Sequence, residues 1–346
     1  MLGRLLAEVM VFRQISVTLA LARWPWQWRA EDVMTEFALV GDIGGTNSRF
    51  GLVKQGSMAI QHMEALRNDN FPSLEGAIQQ YLRNQDVTSV SSAAIAVAAP
   101  VDREHISLTN RDWSFTSESL RLAAKARHLR LLNDYEALAL SLPHLHGDDL
   151  IQIGGQDSAV PKLKIVLGPG TGLGMAALAP LPQGGWMALP GELGHVTLPT
   201  ITREEFDLRE RMTEPGYVFT AEDAVSGGGL YLIYKTIAPQ GKLASPEAVI
   251  QAALSGNDEM AVKTLDQFIV WLARISGDAA MALQARGGVY LAGGIAPSII
   301  DKLKSGPFRS IFEEKGKLSH HMRPIPVYVI VDRFPAFKGC AASLAQ

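Results

Sequence analysis

Several stretches of this chain combine side-chain-free backbone with groups that do chemistry. Gly41-Asp42-Ile43-Gly44-Gly45-Thr46-Asn47 sets a carboxylate beside glycines and a hydroxyl. Glycines let successive N–H groups turn toward an anion, and Thr46 adds a hydroxyl donor. Asp42 beside such a turn suits a divalent cation held through water, because Mg²⁺ sheds its water reluctantly. Alone, the stretch reads equally well as a glycine-rich hairpin turn. A second stretch, Gly168-Pro169-Gly170-Thr171-Gly172-Leu173-Gly174, repeats the chemistry in the other half of the chain. Two Gly/Thr turns, one in each half, can grip a polyphosphate from both sides of a cleft.

Asn133-Asp134 lies between an apolar run and a helical one. A carboxylate on so rigid a junction can accept a proton from a hydroxyl. On its own the position reads as a helix N-cap, which Asp also suits. Glu192 and His195 are three apart, a spacing found in helical di-metal sites. Here Pro190, Gly191 and Gly194 break helices and the motif has no second copy, which argues against a metal and leaves a surface turn or a substrate-facing loop. Gly293-Gly294 after a strand reads by itself as a simple strand-to-helix turn.

These groups need a scaffold to bring them together. Phe37–Val40 and Ser48–Val53 read as strands on either side of the first glycine turn, with a further turn at Lys54–Ser57. No helix follows the glycines, which excludes the Rossmann and P-loop settings. Ser73 caps a helix running to Asn84, with Leu74, Ile78 and Leu82 as a core stripe. Ala93–Ala98 and Leu129–Leu132 are further strands, the latter leading into a helix over Tyr135–Leu142. The second half opens as the first does: strand Lys164–Leu167, the glycine turn, a strand to Leu178, and another at Trp186–Leu189. This is a degenerate internal repeat. Helices follow at Arg203–Met212, Gly229–Ile237, Pro246–Leu254 and Glu259–Ala285, the last with Val262, Phe268, Ile269 and Leu272 as a core stripe. Strands Val289–Leu291 and Val327–Ile330 and a helix Ala336–Leu344 close the chain. The expectation is an α/β protein with a mixed sheet in each of two lobes and a ligand cleft between them.

Taken in order, DIGGTN, LND, GPGTGLG and LAGG resemble the actin-like ATPase superfamily of sugar kinases. Leu132-Asn133-Asp134, Pro190-Gly191-Glu192-Leu193-Gly194-His195-Val196 and Ala221-Glu222-Asp223-Ala224-Val225-Ser226-Gly227 narrow the resemblance to the bacterial-type glucokinases. It runs from Thr35 to the C-terminus, with Leu193 standing where many members carry glycine. The resemblance implies a two-lobed actin-like ATPase (ribonuclease H-like) fold. The smaller lobe would cover 34–140 and the larger 141–346, the C-terminal helix being free to pack back on the smaller. It implies ATP-dependent phosphorylation of D-glucose to glucose 6-phosphate, with ATP and Mg²⁺. It assigns Asp134 as the base and Asn133, Asp134, Glu192, His195 and Glu222 to glucose. ATP would lie on Gly41, Asp42, Ile43, Gly44, Gly45, Thr46, Gly170, Thr171, Gly172, Gly293 and Gly294, with Asp42 near the metal through water. A homodimer in the cytoplasm is implied too. The rival readings are a kinase for another hexose or amino sugar and a sugar-sensing repressor. A repressor needs an N-terminal DNA-binding domain, and 1–36 show no such pattern.

Composition sets outer limits. Of 346 residues, 32 are Lys or Arg and 35 Asp or Glu, a net charge of −3, which disfavours wholesale nucleic-acid binding. The one cysteine, Cys340, excludes an intramolecular disulfide and reads as a small buried residue in Gly339-Cys340-Ala341-Ala342. His144, His146, Asp148 and Asp149 read as a solvated loop rather than a metal cluster. The N-terminal stretch differs from the rest: within residues 1–30, Arg4, Arg13, Arg23 and Arg29 face only Glu8, and Trp24, Trp26 and Trp28 are half of the six tryptophans. The uncharged run Gln14–Ala22 is too short for a membrane span, which needs ~20 residues. These residues read as an N-terminal extension ahead of a start at Met34, outside the fold. A chain beginning at Met34 is therefore expected to fold and to phosphorylate glucose as the full chain does; coupled assay and thermal melting of the two side by side check this.

Overall fold

The computed structural model describes residues 36–108, 111–158 and 160–345. The expectation for 1–33 lies outside the described residues.

The first sheet begins with β1 (Phe37–Ile43), β2 (Asn47–Lys54) and β3 (Ile60–Arg67), an antiparallel meander. Helix α1 (Leu74–Asn84) crosses to β4 (Val90–Val97), which runs parallel to β1. A short ribbon, β5 (Ile106–Ser107) with β6 (Ser114–Phe115), precedes α2 (Ser117–Ala124) and β7 (Ala126–Asn133), parallel to β4. The order is β3-β2-β1-β4-β7. Ser73 caps α1 by accepting from the Gly76 N–H, and Leu74, Ile78 and Leu82 are buried. β3 was not expected: it is the outer strand, and none of its residues is fully buried, whereas β2 beside it buries five.

Helix α3 (Asp134–Ser141) then leads to β8 (Leu150–Gly154) and the second sheet. There β9 (Lys164–Pro169), β10 (Leu173–Pro180) and β11 (Trp186–Gly191) form a second antiparallel meander. After the helices α4 (Arg203–Met212), α5 (Ala221–Ala224), α6 (Gly227–Ile237), α7 (Pro246–Ser255) and α8 (Glu259–Leu283), β12 (Val289–Leu291) returns parallel to β9. Short helices α9 (Ile295–Ser298), α10 (Ile300–Ser305), α11 (Phe308–Glu313) and α12 (Ser319–Met322) lead to β13 (Val327–Ile330), parallel to β12. The order β11-β10-β9-β12-β13-β8 repeats that of the first sheet and adds β8 at the edge. The degenerate repeat seen in the glycine turns is thus a repeat of topology. Phe268, Ile269 and Leu272 of α8 are fully buried in the core of this half.

A third core joins the two sheets. Ala38, Val40, Ala94 and Ala96 from the first and Val166, Ala176 and Leu178 from the second cluster with Ala137 and Leu140 of α3. Phe337, Cys340 and Ala341 of the closing helix α13 (Pro335–Leu344) complete it. Helix α13 packs on α3, β1 and β4, so the end of the chain returns to the first sheet. Cys340 is buried there, its thiol on the Gly41 carbonyl at 3.5 Å. Asp149 is not merely solvated: its carboxylate accepts from Lys338 on α13 at 2.8 Å. Among the described residues no group of three or more His, Cys, Asp or Glu is placed to hold a metal ion, and no helix is long and apolar enough to cross a membrane.

The contact between α3 and α13 depends on Gly339, where a Cβ would stand 1.7 Å from the Ala137 carbonyl oxygen. Backbone cannot yield as a flexible side chain would, and overpacking of this kind costs about 1–3 kcal/mol or more. Gly339→Ala is expected to lower Tm by several degrees and, because α3 begins at Asp134, to lower kcat as well. Calorimetry and a steady-state assay of the variant check both.

Candidate active site

The parallel strands place the acidic groups. Asp42 is the penultimate residue of β1, paired with Ala96 of β4, and Ala96 is paired with Leu132 of β7. One step further, Ile43, Val97 and Asn133 share a row. Gly41, Asp42 and Ile43 therefore belong to the strand, and the turn proper is Gly44–Thr46, with Gly45 and Thr46 exposed. Both acids end up at the carboxyl ends of parallel strands, where ligands bind in open α/β sheets.

The cap of α3 is Asn133 rather than Asp134. Its Oδ1 accepts from the Tyr135 N–H at 2.9 Å and the Glu136 N–H at 3.4 Å. Asp134 is the first residue of the helix, and its Oδ1 also accepts from the Tyr135 N–H at 2.9 Å. A carboxylate is favoured at a helix N-terminus. Burial nevertheless pushes the Asp134 pKa up to about 6, with the Tyr135 N–H opposing and the nearby Asp42 charge adding to the rise. Asp42 is also raised by burial, against the pull of the Arg49 guanidinium 3.3 Å away.

Tyr135 ties this corner to the second glycine turn. Its hydroxyl donates to the Gly168 carbonyl at 2.6 Å, and its ring fills the space where a Cβ on Gly174 would sit. The phenol is pushed up by burial and then by the Asp134 and Glu222 carboxylates, so both acids lie close to it. Glu222 accepts from the Leu173 N–H at 2.7 Å and lies against Gly172, where a Cβ would collide with it at 2.4 Å; a Cβ on Gly194 would collide with the Leu173 carbonyl and press on Glu222. The Ala221 N–H donates to the Val196 carbonyl at 2.8 Å, which holds α5 against the turn Leu193–His195. Glu192 precedes that turn and His195 ends it, both exposed.

The third glycine element closes on the second. A Cβ on Gly293, at φ +82°, would meet the Pro169 carbonyl at 2.4 Å, and one on Gly168 would meet that of Ala292 at 2.2 Å. The Gly227 N–H donates to the Gly170 carbonyl at 2.9 Å, bringing the glycine-rich start of α6 to the same place. The structure thus gathers Asp42, Asn133 and Asp134 at one corner. Gly170, Thr171, Gly172, Gly293 and Gly294 gather at another, with Glu192, His195 and Glu222 beside it. Among the described residues no hydrogen bond joins the turn Gly44–Thr46 to Gly170–Gly172. Tyr135 and Asn68, which holds the first turn, were not singled out by the sequence, and Gly227 was given no role; Tyr135 adjoins one motif and Gly227 ends another, whereas nothing local marks Asn68.

A family model described as Glucokinase matches residues 39–346. The chain belongs to the glucokinase family. The glucokinase of Neisseria gonorrhoeae is 38% identical over 312 residues, covering 89% of this chain and 94% of that one. The crystal structure of a glucokinase from an Antarctic psychrotroph has a TM-score of 0.81 at 29% identity, covering 90% of this chain and 99% of that one. A ROK family glucokinase from Streptomyces griseus, solved in complex with glucose and AMPPNP, shares the fold with a TM-score of 0.61 at 20% identity, over 88% of this chain and 98% of that one. The two repeated sheets are the two lobes of the actin-like ATPase fold, as the motifs implied.

The raised pKa of Asp134 makes a stability statement about this glucokinase-family chain. The folded state holds the proton more tightly than the unfolded one, whose carboxyl titrates near 3.8. The contribution is fully present below that value and is lost as pH rises through about 6. Asn cannot ionise, and Asn133 still caps the helix. Asp134→Asn is therefore expected to melt higher than the parent near neutral pH, by on the order of 1 kcal/mol, with the gain shrinking toward about pH 4. Melting curves of both proteins across that range check the sign.

Proposed function

We propose that this glucokinase-family chain transfers the γ-phosphoryl group of ATP to the 6-hydroxyl of D-glucose, with Asp134 receiving the hydroxyl proton. The observation that carries the assignment of roles is the position of Asp134. It stands on a rigid strand–helix junction, beside Asp42 on one side and joined through Tyr135 to Gly168 and Glu222 on the other. Asn133, Glu192, His195 and Glu222 would hold the sugar hydroxyls. The turns Gly41–Thr46 and Gly170–Gly172, with Gly293 and Gly294, would hold the nucleotide. A likeness of fold to the Streptomyces griseus protein bound to glucose and AMPPNP supports this pair of ligands.

The residues present fit a hydrated magnesium ion. Asp42 and Asp134 are hard oxygen donors near one another, both raised by burial, and a cation between phosphate and carboxylate would relieve that. When bound, the ion neutralises charge on the phosphate oxygens. The chain's own part is to orient and to accept. Exposed N–H groups of the turns face the phosphate chain, and Asp134 accepts the proton as the sugar oxygen approaches phosphorus. Phosphoryl transfer passes through a loose transition state, so the hydroxyl keeps its proton until late and a weak, well-placed base suffices. Magnesium, a homodimer and a cytoplasmic location form part of the same reading, as do lobes at 34–140 and 141–346.

Asp134→Asn tests the role directly. The amide accepts no proton, and loss of a general base removes ~10²–10⁴-fold of rate. The expected outcome is a collapse of kcat in a stably folded protein that still binds glucose. The parent's kcat/KM is expected to fall on the acid side of an apparent pKa of about 6. Turnover of the variant close to the parent's would remove Asp134 from the chemistry.

A further inference from the structure

The first glycine turn owes its shape to a residue outside it. Asn68 lies just after β3 and is fully buried. Its Nδ2 donates to the Gly44 carbonyl at 2.8 Å and to the Gly45 carbonyl at 3.1 Å. Its own N–H donates to the Thr46 carbonyl at 3.0 Å. Its Oδ1 accepts from the hydroxyl of Ser48, also fully buried, at 2.7 Å. One side chain and one peptide therefore engage all three carbonyls of the turn. The orientation of the amide follows from chemistry: reversed, its oxygen would face two carbonyl oxygens. Arg111 adds a weaker donor to Gly45, at 3.4 Å.

Drawing the carbonyls to one side leaves the peptide N–H groups on the other. Among the described residues no acceptor takes the N–H of Gly45 or Thr46, and both residues are exposed. We infer that Asn68 is a positioning residue for the nucleotide phosphates: by holding the Gly44–Thr46 carbonyls it presets the turn with its N–H groups toward the phosphate chain. The inference rests on the reading that this turn binds phosphate. A preset turn avoids the ordering cost that a loose glycine loop bears on binding. Asn is suited because it offers two donors and one acceptor on a short stem. Asp has the same shape and no donor.

The test compares nucleotide and sugar constants in Asn68→Ala, Asn68→Asp and Ser48→Ala. The probes are AMPPNP by calorimetry and ATP and glucose in steady state, with a melting curve for each protein. Asn68→Ala is expected to raise the AMPPNP Kd and the ATP KM about tenfold, the worth of two modest hydrogen bonds, with the glucose KM near the parent's. Asn68→Asp, which turns an oxygen toward the carbonyls, is expected to do at least as much. Ser48→Ala frees the amide at Oδ1 only and is expected to shift the same constants less; it carries the test should the Asn68 variants not fold. An unchanged AMPPNP Kd in a folded Asn68→Ala overturns the inference. So does a parallel rise of both substrate constants, which marks a general folding role, and so does an unchanged ATP KM in Ser48→Ala where the Asn68 variants do not fold. Gly45→Pro separates the underlying reading, since it removes an N–H of the turn itself. Undiminished AMPPNP binding there means the turn does not face phosphate at all. Loss there, with none in the Asn68 variants, removes only Asn68.

Discussion

Helices α3 and α13 can touch only because Gly339 has no side chain, and that contact underlies the join between the sheets. Each sheet turns one face onto this helix pair, through small residues such as Ala38, Ala96, Ala137, Ala176 and Ala341. Small side chains let backbones approach closely, and dense packing resists gradual deformation. Tyr135 extends the join from the start of α3 to the second glycine turn. The C-terminal helix, last in sequence, is therefore as much a part of the first sheet's architecture as β1 is.

The corner that holds Asp42 and Asp134 is built against the electrostatic preference of its own groups. Asp42 and Asp134 lie close together with raised pKa values, and Arg49 offsets only part of the burial at Asp42. Such arrangements cluster at functional sites because the stored cost is relieved by ligand charge. The Tyr135 N–H at the start of α3 and the Asn133 side chain oppose part of that rise, so Asp134 still ionises near neutral pH. Glu222 meets a different need, holding the Leu173 N–H and filling the space that Gly172 and Gly194 leave. It thus links the loop carrying Glu192 and His195 to the second glycine turn.

Much of the fold was legible in the sequence because its elements are locally consistent. The stripe of α1, its cap at Ser73, the long apolar α8 and the buried runs of β4 and β9 each carry their own period or cap. The internal repeat was visible through its two glycine turns. Errors fell where a boundary depends on a partner strand. β1 continues through Asp42 because β2 pairs with it along its whole length and β4 from Leu39 to Ile43, and propensity along a glycine-rich run cannot show that. β3 is an outer strand with no fully buried residue, and its apolar residues Ile60, Met63, Ala65 and Leu66 do not alternate regularly with polar ones, so no period marks it as a strand.

The sequence by itself determined the chemistry available: which carboxylates, glycines and hydroxyls exist, and on which kind of junction each stands. Those properties are local, set by neighbours a few residues away. Only the tertiary structure decided which groups meet. Asp42 and Asp134 come together because β1 and β7 flank β4 in parallel, and Gly293 reaches Pro169 because β12 lies beside β9. Asn133 rather than Asp134 caps α3, a choice made by where β7 ends. Asn68 reaches the first turn only after β3 folds back on β2. Contacts between segments far apart in the chain are fixed by strand order and close packing, and no local pattern of residues records them.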